Sequence, residues 1–188
     1  MDDSHARKAT LILEILAVAS IFFLLKALFA RVNYSSQIAE IGSLVVITYL
    51  YRRRHITWRD VGLCAPKYRM QAVLYLILCV LSIALVFNFV IQPLFPEGAN
   101  VISGGQPVTF SGMLFQLVVV GIGTAAIGEE MLMRGFVFNN LNDIFGRTIS
   151  GTTAALLAQA ALFAILHSGV QGIVSAGAIG LSLGFFYL

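Results

Sequence analysis

Apolar residues run along this chain in six blocks, each closed by a polar or turn-forming stretch. The first, Ala9 to Phe29, is long enough at 1.5 Å per residue to cross a hydrocarbon core of about 30 Å. Ile38 to Tyr51 is shorter, opens near Glu40, and is expected to be a second span. Met70 to Leu94 is a third, closed by Pro93 and Pro96. A fourth begins at Met113 and runs into a charged cluster at Glu129. Thr152 to His167 and Ile173 to Leu188 are the fifth and sixth. Between them lie a polar connector (Arg31 to Gln37), a Gly- and Pro-containing loop (Phe95 to Gly112), a turn-rich stretch (Asn139 to Gly151) and a break (Ser168 to Gly172). The pattern predicts an all-α polytopic transmembrane helix bundle of about six spans, forming a single integral membrane domain over residues 1–188. Gly177, Gly180 and Gly184 suit close helix contact in the last block.

Composition strengthens this reading. The chain is 59% hydrophobic and only 11% charged, against about 25% charged in a soluble domain. Its formal charge of +3 gives no nucleic-acid signal. The basic residues cluster from Arg52 to Arg69, which holds six of the twelve Lys and Arg residues. Such a loop is expected to face the cytoplasm beside anionic lipid. With the N-terminus inside, Arg7, Lys8, the basic loop, Arg134 and Arg147 are inside and Arg31 is outside. The expected location is therefore the cell (plasma) membrane, with a cytoplasmic N-terminus. Cys64 and Cys79 have no metal or disulfide spacing. The first apolar run is too long for a cleavable signal.

The candidate chemistry sits in Gly128-Glu129-Glu130-Met131-Leu132-Met133-Arg134-Gly135. An ionisable group at bilayer depth costs at least about 2.5–3.5 kcal/mol and by default marks a functional site. Glu130 and Arg134 stand at i and i+4 with the acid first, the better orientation for a pair. Glu129 lies about 100° around the helix, so it is left to face a proton, a metal or a water. His167 is the only histidine within an apolar run. A carboxylate and an imidazole together can activate water by general-base chemistry. Glu129, Glu130 and His167 are equally candidates to ligate a divalent metal such as zinc. Glu14 and Lys26, near the ends of the first block, read as structural.

EEMLMRG matches the Glu-Glu-x-x-x-Arg signature of the CAAX protease and bacteriocin-processing family, which includes the type II CAAX prenyl endopeptidases. FAILH matches that family's Phe-x-x-x-His signature, in the same order and on successive hydrophobic segments. Trp58-Arg59-Asp60-Val61-Gly62-Leu63 is also similar to family members. The resemblance covers roughly Trp58 to Leu188, with a peptidase-like core at about residues 70–188. It implies an intramembrane protease, glutamate- or metal-dependent, acting on a peptide or prenylated-peptide substrate. Glu129 and His167 would prepare a water for attack on a peptide carbonyl, and Glu130 and Arg134 would support the site.

The family carries one more signature, a histidine followed four residues later by Asn or Asp. No histidine follows His167 here, which leads one to expect a C-terminally shortened chain with little turnover in its 188-residue form. Glu129 and His167 reach a common depth if the fourth helix continues through Gly135 to Leu141, or if the inside assignment is wrong for this half. Two rival readings use the same residues. One is a non-enzymatic membrane immunity or partner-binding protein on this scaffold. The other is a proton-coupled carrier, disfavoured because no paired inverted halves are visible.

Overall fold

The computed structural model describes residues 3–62, 68–95, 123, 127–167 and 169–185. Every regular element among them is a helix, so the all-α expectation holds. The chain divides into two compact bodies, Met1–Cys64 with Val108–Gly151, and Ala65–Pro107 with Thr152–Leu188.

In the first body, helix α1 spans Asp3–Leu28 and α2 spans Ser35–Arg53. Leu11, Ile15, Val18 and Phe22 are the buried residues of α1. Their spacing of three and four places them on one face, which packs against α2. In lipid such a face is held by close packing rather than by exclusion of water. A π-helical segment, π1, runs from Met131 to Phe138 and leads straight into α3, Asn139–Phe145. Gly146, with φ of 91°, ends this helix, in a conformation that glycine adopts without a Cβ penalty. The stretch read from sequence as turn-rich from Asn139 is thus helical to Phe145. Its polar residues misled the reading because they point into the protein. Asn140 and Asn142 are buried, and α3 packs on α1.

In the second body, α4 (Arg69–Val86) continues through a second π-helical segment, π2 (Phe87–Ile91), into α5 (Gln92–Leu94). Helix α6 (Ile149–Leu166) lies almost wholly in this body, and α7 (Gly169–Phe185) follows. The break expected over Ser168 to Gly172 is narrower than that, since α7 already starts at Gly169, where φ is 74°. The glycine-rich face of α7 meets α6. A Cβ on Gly180 would stand 3.1 Å from the Phe163 ring, and one on Gly184 would strike Leu156. Ser82 and Ser182 hydrogen-bond each other between α4 and α7.

Three described stretches are long and apolar enough to cross a membrane: Ser4–Leu28, Val73–Leu94 and Ile149–Leu166. Gly169–Gly184 is apolar but shorter. The expected second span is a helix, yet Ser35, Gln37, Glu40, Arg52 and Arg53 leave it outside that set. Most of the run from Met113 lies outside the described residues. Along α4, Val73, Leu74, Ile77, Leu81 and Leu85 are all exposed. A soluble monomer rarely leaves so large an apolar surface open, whereas lipid is its natural solvent. The protein is an integral membrane protein.

Candidate active site

Glu129, Glu130 and Arg134 share one continuous helix of the first body. Arg134 is buried and donates from Nη1 to Oε1 of Glu130. The pair expected from the i, i+4 spacing therefore forms, although the backbone between the two residues is π-wound from Met131 onward. It is not a fully buried pair, because the Glu130 side chain is 43% exposed while that of Arg134 is 7% exposed. Nε and Nη2 of Arg134 find no partner among the described residues. Arg134 binds Glu130 and not Glu129, and Glu129 is partly buried one position earlier.

Single-turn π segments concentrate at functional sites, where they re-aim side chains and free backbone groups. Here the carbonyl of Gly135 is taken up by side chains. It accepts from the Tyr51 hydroxyl and from Nδ2 of Asn139, the latter at 3.2 Å. The same Asn139 amide donates to the Arg134 carbonyl at 2.9 Å. Tyr51 comes from the end of α2, and its ring packs against Phe136 at 5.9 Å and against Trp58 at 5.1 Å. Trp58 in turn donates from Nε1 to Thr48 at 3.2 Å, and its ring lies over Gly135. The basic connector is therefore folded back as a clamp on the segment that carries Arg134. It is closed by Asp60, whose carboxylate accepts from the Thr57 hydroxyl and backbone N–H at 2.7 Å each. Those two bonds hold the Asp60 carboxyl below the usual aspartate range.

A third carboxylate stands at the same place. Glu40, buried on α2, lies against Gly128, and a Cβ at that position would collide with the Glu40 carboxylate. Its Oε1 has no hydrogen-bond partner among the described residues. Sequence reading noted Glu40 only as an opening charge of a short span. The signal that singled out Glu129, an acid inside an apolar block, applied to it equally. Tyr51 was missed, and Trp58 was noted only within a family-like stretch, because both act through Gly135, which only the fold reveals.

His167 belongs to the second body, at the end of α6. Its Nδ1 lies 2.9 Å from the Phe163 carbonyl. A carbonyl can only accept, so Nδ1 carries the proton and Nε2 keeps its lone pair. The Phe163 ring meets the imidazole edge-on at 4.8 Å. Phe-x-x-x-His is thus a positioning unit in which one residue, a helical turn earlier, fixes both tautomer and ring plane. The helix-length condition for Glu129 is also met, since the helix extends past Leu141 to Phe145.

Residues 108–188 match the family model for type II CAAX prenyl endopeptidase Rce1-like proteins. Over these residues the chain is similar to that family. No curated protein and no solved structure matched. The Rce1-like region holds both Glu-Glu-x-x-x-Arg and Phe-x-x-x-His, while Glu40, Tyr51 and Trp58 precede it. Within either body, no three of His, Cys, Asp and Glu come together as a metal-ligand set among the described residues. Glu130 is also occupied by Arg134. A catalytic zinc normally takes three protein ligands, and the first body by itself offers Glu129 beside a glutamate already engaged by Arg134.

Proposed function

We propose that this protein is an intramembrane endopeptidase acting on a peptide or prenylated peptide, with Glu129 as general base and His167 as its partner. The supporting observation is the division between adjacent glutamates: Arg134 engages Glu130 and leaves Glu129 available. In the proposed reaction Glu129 takes a proton from water as the oxygen attacks the scissile carbonyl carbon. The carbon–nitrogen bond then breaks, and the leaving amine receives a proton. His167 presents Nε2, which accepts a hydrogen bond from the same water when neutral and donates to the amine when protonated. Glu130 and Arg134 keep the motif helix in register and its charge balanced. The match to type II CAAX prenyl endopeptidases supports a peptide bond as the target and favours a lipidated peptide.

The test is cleavage of prenylated and unprenylated peptides by purified protein in lipid, with a chelator arm. In a form with measurable cleavage, Glu129→Gln and His167→Ala are each expected to abolish it with thermal stability nearly unchanged. Unaltered cleavage by Glu129→Gln would sink the general-base assignment, and chelator-sensitive cleavage would move these residues to ligand roles.

A further inference from the structure

Where the motif helix continues beyond Phe138, the first body contains a cavity of about 500 Å³ that the peptidase reading does not use. Its wall brings together Arg7 from α1, Arg54 from the end of α2, Arg147 beyond Gly146, and Asn140 and Asp143 from α3. Asp143 is engaged through both carboxylate oxygens. One carboxylate oxygen accepts from Arg7 Nη2 at 3.1 Å, and the other accepts from both Nε and Nη2 of Arg147 at 3.1 Å. Asp143 thereby aims two guanidinium groups without exhausting their donors, since each carries five N–H bonds. The other lining carboxylate, Asp60, is held by Thr57. Arg54 is paired with Glu14 and reaches Asn140 Oδ1 at 3.4 Å. That leaves the Asn140 amide nitrogen: the residue is 4% exposed, and Nδ2 has no partner among the described residues. A buried donor without an acceptor is destabilising.

The wall is thus rich in N–H donors whose neighbouring acceptors are already occupied. What completes it is a compact ligand that carries several acceptor oxygens and negative charge. We infer that this cavity binds a phosphate-class oxyanion, carried by a phospholipid headgroup or supplied as free phosphate. Guanidinium groups match phosphate oxygens in pairs, and the volume lies within the range of small-ligand sites, about 300–1,000 Å³. The position favours the headgroup as source. Arg7 and Leu11 line the cavity together, so it opens where α1 passes from polar to apolar sequence. It also adjoins the basic connector, where anionic lipid gathers.

The experiment uses the whole chain in phosphatidylcholine nanodiscs and follows thermal unfolding. Phosphatidic acid is added in one arm and inorganic phosphate in the other. A saturable rise in the midpoint is expected, with half-saturation moved about tenfold or more to higher ligand by Arg147→Gln and by Arg7→Gln, the size of one lost charge-assisted hydrogen bond. Both side chains are mostly exposed, so each variant can be compared as a folded protein. Arg53→Gln, exposed and outside the cavity, should leave half-saturation unchanged. Saturation in the lipid arm alone assigns a headgroup, and saturation in both admits free phosphate. The proposal fails if neither arm saturates, or if Arg53→Gln weakens the response as much as the other two. Peptide cleavage is not read, so the outcome is independent of the proposed peptidase activity.

Discussion

At residue scale the glutamate pair and Gly128 make opposite demands on the helix. The ion pair of Glu130 with Arg134 is open to solvent or headgroups on its acidic side, which lowers its worth from the buried-pair range toward that of an exposed pair, about 0.2–1 kcal/mol. A double-mutant cycle of Glu130→Gln with Arg134→Ala, followed by thermal or denaturant unfolding in detergent, should return a coupling of about 1 kcal/mol or less. Arg134→Ala alone should cost more, because its buried stem also loses packing. Gly128 has no such tolerance. Gly128→Ala places a methyl into the Glu40 carboxylate, and overpacking of this kind costs about 1–3 kcal/mol. In a Glu40→Ala background the same substitution should cost clearly less. Equal costs in both backgrounds would show that the contact does not form. Asp60 provides the pH dependence. Its folded-state pKa lies below the unfolded 3.8, so its contribution is fully present above that value and is lost as pH falls through the depressed one. The stability difference between the protein and Asp60→Asn should therefore be flat above about pH 5 and shrink on acidification below it.

At the scale of elements, the hydrophobic blocks foretold where helices lie better than where they end. Ala9 to Phe29 and Thr152 to His167 became α1 and α6 nearly as drawn, because a long uninterrupted apolar run has few alternatives in a membrane. The helix through Arg134 was harder to delimit. Asn139, Asn140 and Asn142 resemble loop residues by type, but here Asn139 satisfies two carbonyls, Asn139 and Asn140 line a polar cavity, and Asn142 is buried. The Glu130 and Arg134 pairing was legible because i, i+4 geometry is local. The seat of that helix was not, since Tyr51 and Gly135 are far apart in sequence. Tyr51→Phe keeps the ring contacts and removes only the hydroxyl. It should cost about 0.5–1.5 kcal/mol, read as a shift in thermal unfolding. No shift would mean that the Gly135 carbonyl is satisfied by Asn139 alone.

For the whole molecule, we propose a cytoplasmic face for the basic connector, because Arg52 to Arg69 holds six of the twelve Lys and Arg residues. A single cysteine placed at Arg59 should be labelled by an impermeant reagent only when the cytoplasmic face is accessible. Labelling in intact cells would invert the assignment and move the oxyanion cavity to the opposite leaflet. The site residues themselves are dispersed. Glu129, Glu130 and Arg134 belong to one compact body and His167 to the other, so each half prepares its groups locally, the first by an ion pair and the second by Phe163.

Trp58 is the only tryptophan in the chain, and its ring covers Gly135 beside Arg134. The protein therefore carries a built-in optical probe on its motif helix. Any ligand that loosens the clamp, or any variant that lets lipid or water reach that ring, will change the emission maximum and the accessibility of the indole to quenchers. Ligand engagement can then be followed in unlabelled protein.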